Sequence, residues 1–200
     1  MTFEVRRAAD RFVTTRPGSV TRYCFSFGPH YDPHNVSLGP VVAVNDERLA
    51  PGAGFDPHAH AGLVIVTYVV SGSLTHQGIA AREVGAGDVA VLRCGNGVIH
   101  AERNTGSTEL RFVQTWISTG DPAVSYEVTT GPVNLDNARL TAGQVPAGPF
   151  TGHLLVTSGT VRVGEDELTD GDSLRSTSPV DLQPDLNATG VLVALLSSHR

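Results

Sequence analysis

The chain has 200 residues, enough for one large domain or two small ones with a substantial apolar core. Its formal net charge of -6, from 14 basic and 20 acidic residues, gives little support for binding a phosphate backbone, so we expect no direct nucleic-acid contact. No stretch reaches the roughly 18 apolar residues that span a bilayer, and the first residues lack the apolar run of a secretory signal. We therefore expect a cytoplasmic protein without a membrane segment.

The composition favours strands over helices. Glycine (22) and proline (12) are abundant for this length, and valine and threonine recur along the chain. In chain order, the strand-like segments are residues 41–44, 63–70, 89–92 and 110–117. Asn45-Asp46 is predicted to end the first of them in a turn. Short strands separated by turns are typical of a β-sandwich or barrel rather than of alternating strands and helices.

A short internal repeat suggests two similar halves. Residues 69–75 read VVSGSLT and residues 156–162 read VTSGTVR, and each segment is followed by a Gly-Asp turn and an apolar strand. Chance similarity of two hairpins is the alternative, but the shared order of strand and turn favours duplication. We predict an all-β fold of two tandem barrels, residues 1–125 and 126–200, joined near residues 120–131.

Four side chains that can bind a metal occur as two pairs, each with one residue between its members: His58 with His60, and His100 with Glu102. In a strand, residues i and i+2 point to the same face. If the two strands are neighbours, all four donors converge, whereas histidines on an exposed edge would be solvated. Three imidazoles and a carboxylate suit a divalent transition metal and leave coordination positions open.

Two motifs around these residues resemble those of a known family. Residues 55–62 (FDPHAHAG), with their continuation to His76, resemble the first cupin motif in the form found in pirins. Residues 87–89 (GDV) and 95–102 (GNGVIHAE) resemble the second motif. The resemblance in specific motifs extends over about residues 5–127. The last third of the chain matches the family only in its general sequence pattern.

The resemblance implies a bicupin fold, in which each barrel is a double-stranded β-helix (jelly roll). It implies metal ligands at His58, His60, His100 and Glu102 in the first barrel, and a degenerate second barrel without ligands. We expect one metal ion, with Fe(II) as the first choice and Mn, Co, Ni, Cu or Zn as alternatives. In the second barrel, the corresponding positions fall near residues 145–147 and 184–186 and hold no pair of donors.

Some pirins resemble quercetin 2,3-dioxygenases. The resemblance therefore implies an oxygenase that uses O₂ to open the ring of a flavonol or a related enol or phenolic substrate, with Glu102 as general base. His76 is a candidate for orienting a ligand or lining the cavity mouth, with an exposed strand histidine as the alternative. Val64 and Val98 are candidates for an apolar wall against the substrate.

The sequence departs from the family pattern at two positions. Pirins usually carry Arg directly after the second histidine of the first motif and Glu three residues later, where this chain has Ala61 and Val64. Neither position is a ligand in the family scheme, so we expect the metal to be retained. The neighbourhood of the metal becomes more apolar, and the substrate or the reaction can therefore differ from that of relatives.

Two further functions stay open from the sequence. One is a redox-sensing, metal-containing regulatory protein that binds a protein partner, as eukaryotic pirins do in transcriptional control. The other is a metal-dependent lyase, isomerase or hydrolase of a biosynthetic substrate, because cupins host many reactions and a fold does not fix a function.

Overall fold

The computed structural model describes residues 3–196. The described chain forms two compact units, one of residues 12–130 and one of residues 3–11 together with 131–196. Both units are built of strands, apart from a 3-10 helix at Ala8–Asp10. None of the helical structure in residues 3–196 is long and apolar enough to cross a membrane.

Nineteen strands follow one another along the described chain. They are β1 (Phe3–Arg6), β2 (Phe12–Arg16), β3 (Ser19–Tyr23), β4 (Val41–Leu49), β5 (Gly54–His60), β6 (Leu63–Ser71), β7 (Ser73–Gln77), β8 (Arg82–Gly85), β9 (Val89–Cys94), β10 (Val98–Arg103), β11 (Leu110–Ser118), β12 (Val124–Thr129), β13 (Val133–Asn134), β14 (Ala138–Gln144), β15 (Gly148–Ser158), β16 (Val161–Val163), β17 (Asp166–Leu168), β18 (Ser173–Pro184) and β19 (Thr189–Leu195).

The unit of residues 12–130 consists of two antiparallel sheets. One has seven strands in the order β12-β9-β6-β11-β4-β3-β2, and the other has four in the order β5-β10-β7-β8. Buried Leu49, Val69 and Phe112 of the larger sheet pack in one cluster with Leu74 and Val84 of the smaller sheet. The two sheets therefore face each other across a shared apolar core, as the strand-rich composition predicted.

The predicted turn at Asn45-Asp46 is wrong, because β4 continues through both residues to Leu49. Polar residues remain in this buried strand since each of two acids has a specific partner. Arg111 on β11 donates from Nε and Nη2 to the two carboxylate oxygens of Asp46, at 3.0 Å each. The Thr21 hydroxyl donates to Glu47 at 2.5 Å. These pairings offset the cost of burying the two carboxylates.

The second unit is an eight-stranded antiparallel sheet. Its main path is β13-β14-β19-β15-β18-β16-β17, and β1 pairs with β18 from the other end of the chain. Arg7, just after β1, donates to Asp166 and Asp172, which ties the first residues to this unit. Residues 3–11 thus lie with the second unit, and β12 extends the first unit's sheet to Thr129 by pairing with β9. Both features differ from the predicted ranges 1–125 and 126–200.

The two Gly-Asp turns of the internal repeat have the same hydrogen bonds. Gly87 N–H donates to the Val69 carbonyl, and Gly171 N–H donates to the Val156 carbonyl. Both glycines have positive φ, 91° and 84°, which only glycine adopts readily. The equivalent backbone geometry in the two units supports a duplicated origin.

Candidate metal centre

The pairing of β5 with β10 brings the two motif histidine segments together. The strands are antiparallel neighbours, with His100 opposite His58 and Val98 opposite His60. One nitrogen from each of His58, His60 and His100 lies within 4.8 Å of one from each of the others. The ring centroids are 4.5 to 5.1 Å apart. Three of the four predicted ligands therefore converge as the strand periodicity indicated.

Glu102 does not belong to this histidine group. A β-bulge lies between His100 and Glu102, because Glu102 pairs with Phe55 where regular pairing would bring it opposite Asp56. The extra residue falls in the Asp56-Pro57 step of β5, and proline, which has no N–H to contribute to a ladder, is common at bulges. The bulge changes the register just where the fourth donor follows the third.

The histidine group has the properties of a metal site. Nε2 of His60 and both ring nitrogens of His100 are buried without a hydrogen-bond partner among the described residues. Burial, reinforced by His58, lowers the pKa of His60 to about 4. Burial, with the charges of the neighbouring histidines, lowers the pKa of His100 to about 3. Neutral imidazoles with buried, unused lone pairs are costly unless they bind an ion, so these residues fit a transition metal.

His58 has its tautomer fixed by the backbone. Its Nδ1 lies 2.7 Å from the Asp56 carbonyl oxygen, which only accepts, so Nδ1 carries the hydrogen and donates it. In the neutral form of the ring, the lone pair is then on Nε2. This is the arrangement in which a backbone carbonyl orients a metal-binding histidine.

Glu102 is held by a hydrogen-bond chain along β11. Gln114 Nε2 donates to Oε1 and Oε2 of Glu102 at 2.9 and 3.1 Å, and also reaches the Thr67 hydroxyl at 3.3 Å. The indole Nε1 of Trp116 donates to Gln114 Oε1 at 2.8 Å. Burial raises the pKa of Glu102 to about 7, although the hydrogen bonds from Gln114 lower it.

His76 lies behind the histidine group rather than at its mouth. Its ring is 5.2 Å from that of His100 and stacks on Tyr126 at 4.0 Å. Its Nδ1 donates to the Ala80 carbonyl at 3.0 Å, while Nε2 and the Tyr126 hydroxyl are buried without hydrogen-bond partners in residues 3–196. Burial, and then Glu102, raise the pKa of Tyr126, so its hydroxyl stays protonated. These groups border a small internal void next to Glu102.

A cavity of about 430 Å³ opens beside the histidine group. His58 and Glu102 lie in its wall, which also carries aromatic rings from Tyr23, Phe27 and Trp116. Trp116 packs edge-on against His60 (4.7 Å) and Phe27 (5.0 Å), so the aromatic wall reaches the histidines. Its other lining residues are Thr14, Arg16, Ser19, Thr21, Asn45, Glu47, Gly54, Phe55, Asp56 and Gln114.

Two residues predicted as an apolar wall lie elsewhere. Val64 is 1% exposed in the core, on the face of β6 opposite to that of Ile65 and Thr67, which border the void. Val98 packs with Ile65, Leu92 and partly buried Trp116. The cavity wall is built of aromatic and polar side chains instead. Ala61, which stands at the family's Arg position, is exposed.

Sequence reasoning missed three residues around Glu102. Gln114 and Trp116 occupy positions i and i+2 of the predicted strand 110–117, so strand alternation alone placed them on one face. The available signal was a glutamine and the single tryptophan of the chain on a strand face otherwise formed by Leu110 and Phe112. Tyr126 lies just beyond the predicted end of the first barrel and carried no such signal.

The architecture is that of a cupin protein of the bicupin type: two all-β units, with one histidine group between strands of one unit. Comparison with known proteins gives the family. The pirin family model matches residues 3–117. A Mycobacterium tuberculosis protein with the name "Putative quercetin 2,3-dioxygenase" is 36% identical over 213 residues, covering 88% of this chain and 87% of that protein. This chain belongs to the pirin family.

Other relatives match the fold or one part of the chain. A quercetin 2,3-dioxygenase of Escherichia coli K12 is 36% identical over 98 residues, which are 48% of this chain and 42% of that protein. The crystal structure of the Escherichia coli pirin YhhW in complex with nickel(II) has a TM-score of 0.85 and 22% identity, covering 96% of this chain and 98% of that one. At this identity, the likeness shows the fold.

Proposed function

We propose that this protein is a metal-dependent dioxygenase that opens the ring of a flavonol or a related enol or phenolic substrate with O₂. The observation that carries the proposal is the group of three mutually close imidazoles beside an aromatic-walled cavity. The quercetin 2,3-dioxygenase names of its relatives support the same reaction class.

His58, His60, His100 and Glu102 would hold one divalent transition metal. When bound, such an ion acts as a Lewis acid toward a substrate oxygen and supplies the redox chemistry that O₂ requires. Three histidines alone leave positions open for the substrate. We propose Fe(II) as the physiological ion, and the donor set also accepts Mn, Co, Ni, Cu and Zn.

Glu102 is the group of this chain best suited to move a proton. Its carboxylate lies in the cavity wall with His58. Because burial raises its pKa to about 7, a substantial fraction is ionised near neutral pH, and the ionised oxygen is a stronger base than an ordinary carboxylate. We propose that it accepts the proton of an enolic or phenolic hydroxyl as the substrate binds.

The cavity wall binds and orients the substrate. The rings of Tyr23, Phe27 and Trp116 offer flat apolar contact to a planar ring system, and offset or edge-on packing of such rings is favourable by about 0.5–1.5 kcal/mol per pair. A volume of about 430 Å³ is in the range of small-molecule sites. Glu102, which lies in this wall, is itself only 3% exposed.

Oxygen uptake tests the proposal. Protein loaded with Fe(II) is mixed with a panel of flavonols in an oxygen electrode. We expect uptake that depends on the added metal and falls at least ~100-fold in His58→Ala. His34→Ala, an exposed histidine away from the cavity, is the matched control. Turnover of a substrate without O₂ consumption would contradict the dioxygenase.

A further inference from the structure

We infer that Gln114, held in one orientation by Trp116, competes with the bound metal for the Glu102 carboxylate and thereby positions the fourth donor. This inference rests on the proposed metal centre and deepens it. Gln114 is a positioning residue, since it acts on the metal only through Glu102.

The orientation of the Gln114 amide follows from its neighbours. An indole N–H is a donor only, so the amide atom 2.8 Å from Trp116 Nε1 must be the acceptor oxygen. The NH₂ group then faces the Glu102 carboxylate, which in its ionised form only accepts. A flipped amide would set two donors against each other at Trp116 and two acceptors against each other at Glu102. Trp116 therefore fixes the amide orientation in which the NH₂ group of Gln114 donates to the Glu102 carboxylate.

Gln114 forms hydrogen bonds to both carboxylate oxygens of Glu102. One NH₂ group lies 2.9 Å from Oε1 and 3.1 Å from Oε2, and Glu102 lies outside the group of mutually close histidine donors. The side chain is 3% exposed, so no bulk solvent replaces a lost hydrogen bond. In this proposal, an oxygen that turns to the ion gives up its hydrogen bond to Gln114, whereas the other oxygen can keep its own. A hydrogen bond to a charged group is strong enough to change an equilibrium constant by about ten- to a hundredfold.

The same chain of contacts reaches the cavity. Trp116 packs against His60, and both Trp116 and Gln114 lie in the cavity wall. The residue that sets the Gln114 rotamer thus contacts both a histidine of the metal group and the space for substrate. In this proposal, Glu102 can alternate between the metal and Gln114, whereas the three histidines remain bound and supply most of the metal affinity.

Metal affinity of the full-length protein measures the competition without any turnover. Co(II) is titrated in competition with a chromophoric chelator into wild type and Gln114→Met, which has similar length and no donor. We expect Gln114→Met to bind Co(II) about tenfold more tightly, since Glu102 is released to ligate. The visible spectrum of bound Co(II) should change as well, because the ligand set changes. Thr67→Val is the matched control, since it alters a buried contact of Gln114 without touching Glu102, and should stay within about twofold.

A double-mutant cycle locates the effect. In a Glu102→Gln background, Gln114→Met should leave the affinity and the spectrum unchanged. Unchanged or weaker binding by Gln114→Met, or an equal gain in the Glu102→Gln background, would overturn the inference. His58→Ala separates it from the proposed function: retained Co(II) affinity in this variant refutes the metal centre itself. Loss of affinity in His58→Ala together with no effect of Gln114→Met refutes only the competition.

Discussion

Replacement of Glu102 by glutamine should make the metal-free protein more stable, and more so as the pH rises. Burial holds the pKa of Glu102 at about 7 in the folded state, against 4.5 for an ordinary glutamate. Between these values the folded state keeps a proton that the unfolded state has released. The stability of the metal-free wild type therefore falls as pH rises through this window.

The size of the effect follows from the two pKa values. One pKa unit corresponds to ~1.36 kcal/mol, so the buried carboxylate destabilises the metal-free fold by about 3 kcal/mol at pH 8 and by less than about 1 kcal/mol at pH 5. Glutamine has nearly the same shape without the charge. Its amide oxygen still accepts from Gln114, and the cost of placing its NH₂ group beside that of Gln114 does not change with pH. The gap in unfolding free energy between Glu102→Gln and wild type should thus widen by about 2.5 kcal/mol from pH 5 to pH 8.

Urea denaturation of chelator-treated protein measures this gap. The single tryptophan, Trp116, lies in the unit of residues 12–130, so its fluorescence follows the unfolding of the unit that contains Glu102. The other ionisable groups are common to both proteins, so the difference between them reports on Glu102. A difference in unfolding free energy that stays constant between pH 5 and pH 8 would refute a folded-state pKa of Glu102 that is raised by burial.

Three further predictions concern other parts of the chain. Burial, with neighbouring arginines, lowers the pKa of His153 to about 3, so stability should fall as pH drops below 6.5. At pH 5, the loss of unfolding free energy should be about 2 kcal/mol smaller in His153→Leu than in wild type, measured by circular dichroism during urea denaturation. Arg111→Met leaves Asp46 buried without its bidentate partner and should cost about 3–5 kcal/mol by tryptophan fluorescence. Gly54→Ala puts a Cβ into the backbone oxygen of Glu102 on β10 and should weaken metal binding about tenfold, whereas Gly120→Ala, with no atom within 4 Å, should not.

Each of these has an outcome that contradicts it. Equal acid sensitivity of wild type and His153→Leu would show that this histidine is protonated in the folded state. A loss below about 1 kcal/mol in Arg111→Met would mean that water or another group reaches Asp46. Equal metal affinities of Gly54→Ala and Gly120→Ala would mean that the contact between β5 and β10 does not hold the donors in place.

Local patterns were enough to find the histidine group. The i, i+2 spacing fixed which side chains share a face, and the apolar strands 63–70 and 110–117 were visible from their β-branched residues. To bring the histidines together, the prediction needed only one further fact, that β5 and β10 are neighbouring strands. That pairing follows from the fold that the two motifs indicated.

Features that depend on distant partners were not predictable from local sequence. Asn45-Asp46 resembles a turn, but these residues pair with β3 and β11, and Arg111, 65 residues after Asp46, neutralises the acid. The first strand joins the second unit through pairing with β18, about 170 residues away along the chain. The bulge at Asp56-Pro57 had a local signal in proline, but its effect on Glu102 depends on the register of the neighbouring strand.

Metal analysis after reconstitution tests the central claim most directly. Wild type and a variant with His58, His60 and His100 all changed to alanine are dialysed against Fe(II) or Ni(II) under anaerobic conditions, and the metal content is then measured by mass spectrometry. We expect about one ion per chain in the wild type and in the His34→Ala control, and less than about a tenth of that in the triple variant. Equal metal content in wild type and triple variant would contradict a site built on these three histidines.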